Sequence, residues 1–215
     1  MQTTIALGRI AGIPLWVHWS APIGVVLLGQ LVALTVLPPL VPGLDANVYW
    51  LAGGLAALGA VGSVLAHEVA HAIIARRTGL GVQRITLSLR GGMSELAQRP
   101  SGPGTEIRIA LIGPVTSLGL AGLFGAATVM AGNLGAPAVV LATLSWLARI
   151  NVLLGVYNLL PETPLDGSHL LHGLLWRHTR DRDSATRATT AAGQFLGFVF
   201  KGLASKRSGG CDNHA

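Results

Sequence analysis

The feature that most limits how this chain can fold is its division into apolar runs long enough to cross a bilayer, at about 17–37, 48–75, 106–130 and 138–160. A span needs about 20 mostly apolar residues, and inside hydrocarbon only a helix or a closed barrel satisfies its own backbone. With 51% apolar residues, 11% charged residues and a mean hydropathy of +0.57, the 215-residue chain is too apolar for an ordinary soluble domain. The expectation is an all-α polytopic membrane protein, a bundle of about five to six transmembrane helices with a small membrane-associated β-hairpin or sheet. The first run has no basic n-region of the usual kind, so it reads as a retained helix rather than a cleaved leader.

Charge bears on orientation more than on partners. The net charge of +6 could suit nucleic acid, but the arginines cluster in loops between apolar runs and stacking aromatics are few, so no nucleic-acid partner is expected. Arg76, Arg77, Arg84, Arg90, Arg99 and Arg108 crowd one connection, whereas the loops on the other side carry no Lys or Arg. That asymmetry marks the arginine side as cytosolic. The N-terminus would lie on that side too.

Along the chain, residues 1–16 read as an amphipathic lead-in with Trp16 and Trp19 at the interface, and Pro38, Pro39, Pro42 and Gly43 as the break after the first span. Gly53, Gly54, Gly59 and Gly62 thin the second span, which lets other helices pack close or a substrate helix approach. VQRITLSL at 82–89 alternates and meets Gly91–Gly92, which predicts a strand turning into a second one at 93–97. If this sheet dips toward the bilayer its open edge must be covered or must pair an extended peptide; the equal alternative is a surface hairpin with no partner. Ser101 to Gly104 reads as a linker, 168–176 as an interfacial helix, and 189–204 as a short fifth apolar segment interrupted by Lys201. Residues 1–205 are expected to form one core domain and 206–215 a polar tail. The single cysteine, Cys211, lies in that tail, so neither an internal disulfide nor a cysteine-built metal site is available.

Within the second span, SVLAHEVAHAIIARR places His67 and His71 four residues apart, hence on one helical face, with Glu68 beside them. Two imidazoles at this spacing can share one metal ion while the carboxylate holds and deprotonates its water. A histidine pair on a soluble helix is as often a polar contact. At membrane depth the same groups are costly unless they pair, bind a metal or face a wet cavity. From the helical rise, His71 lies about 7 Å and His67 about 13 Å inside the Arg76–Arg77 edge.

The fourth span carries Arg149, Asn151 and Asn158 and ends in NLLPETPLDG, where Pro161 and Pro164 forbid a regular helix. The polar groups are expected to face protein or water, although Arg149 has no evident role. Asp166 in this break is placed to be a third metal ligand, against the alternative of a turn residue before Gly167. His18, at the start of the first span, reads as an interfacial histidine, with a supporting group behind the ligands as the alternative. His169, His172 and His178 read as solvated residues, with a competing metal site as the alternative.

LGRIAGIPLWVHWS, AHEVAHAIIARR, RGGMSEL, ALIGPVTSLGLAG and YNLLPETPLDG together resemble the site-2 protease family of intramembrane zinc metalloproteases over roughly residues 7–200. The resemblance implies Zn2+ held by His67, His71 and Asp166, Glu68 as the general base, and Asn158 as a stabiliser of the tetrahedral oxyanion. It further implies a bacterial or archaeal cell membrane and cleavage within the span of a single-pass membrane protein, such as an anti-sigma factor. A homo-oligomer is an open alternative to a monomer. The rival readings are a zinc-holding pseudoprotease or membrane adaptor without turnover, and a metal transporter, which would need no base beside its ligands.

Overall fold

The computed structural model of the protein describes residues 4–89, 91–98 and 100–194. In order, they form strands β1 (Thr4–Ile10) and β2 (Ile13–His18), helix α1 (Ser20–Leu31), a π-helical stretch (Val32–Val36) and α2 (Leu37–Leu40). Then follow α3 (Ala46–Arg77), β3 (Val82–Ser88), β4 (Gly91–Leu96), α4 (Pro103–Asn133), α5 (Ala138–Asn158) and α6 (Asp166–Thr179), with a further helix over 182–194. Among these residues four stretches are long and apolar enough to cross a membrane: Ser20–Leu40, α3, α4 and α5. The chain is a multi-pass integral membrane protein. Most of the predicted fifth segment, together with Arg90, Arg99, Lys201, Cys211 and the tail, lies outside the described residues.

By contact density the chain divides into two compact units, residues up to 99 with 112–156, and residues 100–111 with those from 157 on. In the first unit the strands make one sheet in the order β1-β2-β3-β4, with β2 and β3 parallel and the other pairs antiparallel. Its inner face presents Ile13, Leu15, Ile85 and Leu87, which bury against Ala72, Val61, Val64, Leu65 and Val69 of α3. The sheet is therefore fastened along the helix that carries the histidines. The β1–β2 hairpin replaces the expected amphipathic lead-in. Ala11 and Gly12 both have positive φ (51° and 77°), as a two-residue turn between twisted strands requires. The alternation of Ile13, Leu15 and Val17 marks β2 alone. Arg76 Nη1 donates to the Ala11 carbonyl, tying the turn to the end of α3.

The prolines do not stop the first span where the sequence suggested. The π-helical stretch shifts the backbone register, and Pro38 and Pro39 then sit in the first turn of α2, where an N–H is least needed. Small residues set the packing of α1 on α3: a Cβ at Gly53 would fall 2.6 Å from the Gly29 carbonyl oxygen and 2.8 Å from Ala33 Cβ. A Cβ at Gly59 would come 3.0 Å from Leu147 of α5, and the Gly54 Cα would lie 3.6 Å from a Cβ at Gly29, whereas a Cβ at Gly62 meets nothing within 4 Å. Three of the four glycines thus sit at close helix contacts.

In the second unit, α5 gives way after Asn158 to an irregular segment with Pro161 and Pro164, and α6 begins at Asp166. The helix starts two residues earlier than expected, which puts a carboxylate in its first turn, where the helix dipole favours it. Gly167 is obligatory, because any Cβ there would overlap the Leu159 and Leu160 carbonyl oxygens.

Candidate metal centre

His67 and His71 are buried on one face of α3, 4% and 7% exposed. Their Nε2 atoms lie 3.1 Å apart with the rings edge to face. Two nitrogens bound tetrahedrally to one zinc at about 2.0–2.1 Å stand about 3.3 Å apart, so the pair is set for a shared ion. The outer nitrogen of His67, Nδ1, is 2.9 Å from Ser117 Oγ on α4. When Nδ1 carries the proton and donates to that hydroxyl, Nε2 keeps its lone pair for the metal.

Gly113 and Ser117 are one helical turn apart on α4, so both face the histidines. A Cβ at Gly113 would overlap His71 Nε2 and come 2.5 Å from His67 Nε2. The glycine keeps open the space where the two nitrogens converge. Neither residue was given a role from the sequence, although the i, i+4 spacing of Gly113 and Ser117 was there to be read. Ser117→Ala is expected to weaken zinc affinity about 10–100-fold while leaving the helices formed, as chelator competition and circular dichroism would measure.

Glu68 points to the sheet. Its Oε2 accepts a hydrogen bond of 2.7 Å from Ser94 Oγ on β4. Gly92 on the same strand lies against its side chain so closely that a Cβ there would overlap Glu68 Cγ. An edge strand thus runs directly beside the carboxylate. One turn N-terminal to His67, buried Ser63 accepts 3.0 Å from Asn151 Nδ2 of α5 and donates 2.9 Å to the Gly59 carbonyl. Asn151, fully buried, faces protein as expected.

His67 and His71 belong to the first unit, and Asp166 opens α6 of the second; each carries a side chain that can ligate a metal. Two imidazoles and a carboxylate, with no cysteine, are a zinc donor set that leaves a fourth position for water. With the space left by Gly113, these residues fit a zinc ion. Asn158 is half-buried at the end of α5. His18 ends β2 with Nδ1 2.7 Å from Ser20 Oγ.

Arg149 is exposed on α5. One expectation changes. The histidines of α6 are not all solvated: His172 is bound through Nδ1 to buried Glu106 at 2.9 Å and through Nε2 to Thr186 at 3.1 Å. His169 lies 3.6 Å from the same carboxylate and His178 is exposed. The pairing satisfies a carboxylate that the first turn of α4 buries.

The model of peptidase family M50 matches residues 126–200, a stretch containing Asn158 and Asp166. Rip3 of Mycobacterium tuberculosis, a candidate zinc metalloprotease, is 42% identical over 212 residues, covering 98% of this chain and 54% of Rip3. For sll0528 of Synechocystis, of the same description, the identity is 32% over 203 residues, 93% of this chain and 51% of that protein. The chain therefore spans about half the length of the curated relatives it matches. The solved site-2 protease from Methanocaldococcus jannaschii shares the fold, with a TM-score of 0.58 and 22% identity over 94% of this chain and 86% of that one. A buried histidine pair on this fold, with a relative 42% identical over 98% of the chain, places the chain in the site-2 protease family of zinc metalloproteases.

Proposed function

We propose that the chain hydrolyses a peptide bond within the transmembrane segment of a membrane protein, with residues 1–205 acting as one catalytic core. His67, His71 and Asp166 hold the zinc, Glu68 is the general base, and Asn158 donates a hydrogen bond to the oxyanion. The observation that carries this reading is the convergence of two buried imidazole nitrogens with a carboxylate beside them on the same span. Zinc, when bound there, supplies a Lewis acid that makes a water acidic enough to be deprotonated near neutral pH.

Glu68 accepts the water's proton and passes it to the leaving nitrogen, which must be protonated before the C–N bond can break. The Ser94 hydroxyl fixes which carboxylate oxygen is occupied and leaves the other for this exchange. The Asn158 amide offers a donor where negative charge develops on the carbonyl oxygen. Substrate backbone must be extended, because helical carbonyls are already hydrogen-bonded. β4 is an edge of the sheet and backs onto Glu68 through Gly92, so a strand added there would run past the base.

The arginines that end α3 support an opening toward the cytosol, since Arg76 and Arg77 lie just beyond the histidines. A single-pass regulator such as an anti-sigma factor is the substrate class in this reading. The test is metal content and cleavage of a single-span reporter in liposomes, wild type beside Asp166→Ala. Loss of zinc and of cleavage together is expected. Unchanged zinc in the variant removes Asp166 from the site, and stoichiometric zinc without turnover in the wild type favours a pseudoprotease.

A further inference from the structure

Arg149 is, among the described residues, the one charged side chain that is exposed and more than two turns from both ends of its candidate span. From the rise of α5, it stands about 16 Å from Ala138 and about 14 Å from Asn158, close to the middle. Long basic side chains escape hydrocarbon by snorkelling when they sit near a helix end, not at its centre. A lipid headgroup cannot reach it there either. The guanidinium, always charged and carrying five donors, therefore needs a partner at depth.

The rest of that face says what shape the partner has. Val152, Leu153 and Val156 follow Arg149 at i+3, i+4 and i+7 and are 44%, 61% and 52% exposed, an apolar stripe continuous with the cation. The other side of α5 is already used: Leu147, Asn151 and Gly155 are buried. Gly155 sits so near Leu118 and the Pro114 carbonyl that a Cβ would approach them to 3.0 and 3.2 Å. An apolar stripe around one central cation is the complement of an apolar helix with one central anion.

A second copy of this chain does not supply that anion. Within the four candidate spans the acidic residues are Glu68 and Glu106. Glu68 is bound to Ser94, and Glu106 is 6% exposed, paired with His172 and in the first turn of α4. A two-fold contact through the stripe would also bring two arginines together. We propose that the Arg149 face of α5 docks a transmembrane helix of another protein that carries an aspartate or glutamate near the bilayer midplane.

The test uses the full chain in liposomes with synthetic Leu-rich single-span helices as probes, read by energy transfer. The probes carry one central Asp, one Asp displaced by two turns, or no charge. The central-Asp helix is expected to bind at least tenfold tighter than the other two. That preference should vanish in Arg149→Leu and persist in Arg149→Lys, with zinc content unchanged in both variants as the control for folding. Equal binding of the three probes, or an undiminished preference in Arg149→Leu, overturns the proposal. So does self-association of the chain that Arg149→Leu abolishes, which would make a second copy the occupant.

Discussion

Glu68→Gln is expected to lower hydrolysis of a transmembrane reporter by about 10²–10⁴-fold while zinc stays at the wild-type level. The substitution is nearly isosteric, which matters because Gly92 leaves Glu68 no spare room on the β4 side. The amide oxygen of Gln can still accept from Ser94 Oγ, the contact that now measures 2.7 Å. What disappears is proton affinity. An amide can neither take a proton from water nor return one to the leaving nitrogen, so kcat falls while KM changes little. Metal analysis beside a cleavage time course separates the possibilities. Cleavage equal to wild type would take Glu68 out of the chemistry, and loss of zinc with cleavage would give it a ligand's role instead.

The spans and the histidine pair were legible for a common reason: both depend on spacing along one helix, and α3 is long and apolar enough for the helical period to hold from Ala46 to Arg77. What the sequence hid depends on other chain segments. The β1–β2 hairpin was read as an amphipathic lead-in because β1 is largely exposed and shows no inward-facing alternation, with Ile5 and Leu7 66% and 63% exposed. Its identity comes from pairing with β2 and from the positive φ at Ala11, neither of which one-dimensional pattern reveals. Ser117, Ser94 and Gly113 were missed likewise, since a serine or glycine in an apolar run acquires a role only from what is set against it. His172 was read as solvated for want of knowing that the start of α4 buries Glu106 against it.

Gly113→Ala, by the same logic, should remove zinc without unfolding the protein. The added Cβ would overlap His71 Nε2 and lie 2.5 Å from His67 Nε2 and 2.7 Å from His67 Cε1. Bonded geometry does not allow such distances between non-bonded atoms, so both rings must rotate away or α4 must retreat. Either response separates the nitrogens that now stand 3.1 Å apart. Loss of a mere hydrogen bond behind a ligand weakens metal binding about 10–100-fold, and displacement of two ligands at once should exceed the upper end of that range. In the helix itself the exchange is favourable, by about 0.8–1 kcal/mol in intrinsic propensity, so the fold has no local reason to melt. Gly119→Ala on the same helix is the matched control, because a Cβ there meets nothing within 4 Å. Chelator competition and a thermal melt of both variants decide the matter. Wild-type zinc affinity in Gly113→Ala would show that the ion does not sit between these two imidazoles, whereas zinc loss with an intact melt, confined to that variant, would place it where the missing Cβ leaves room.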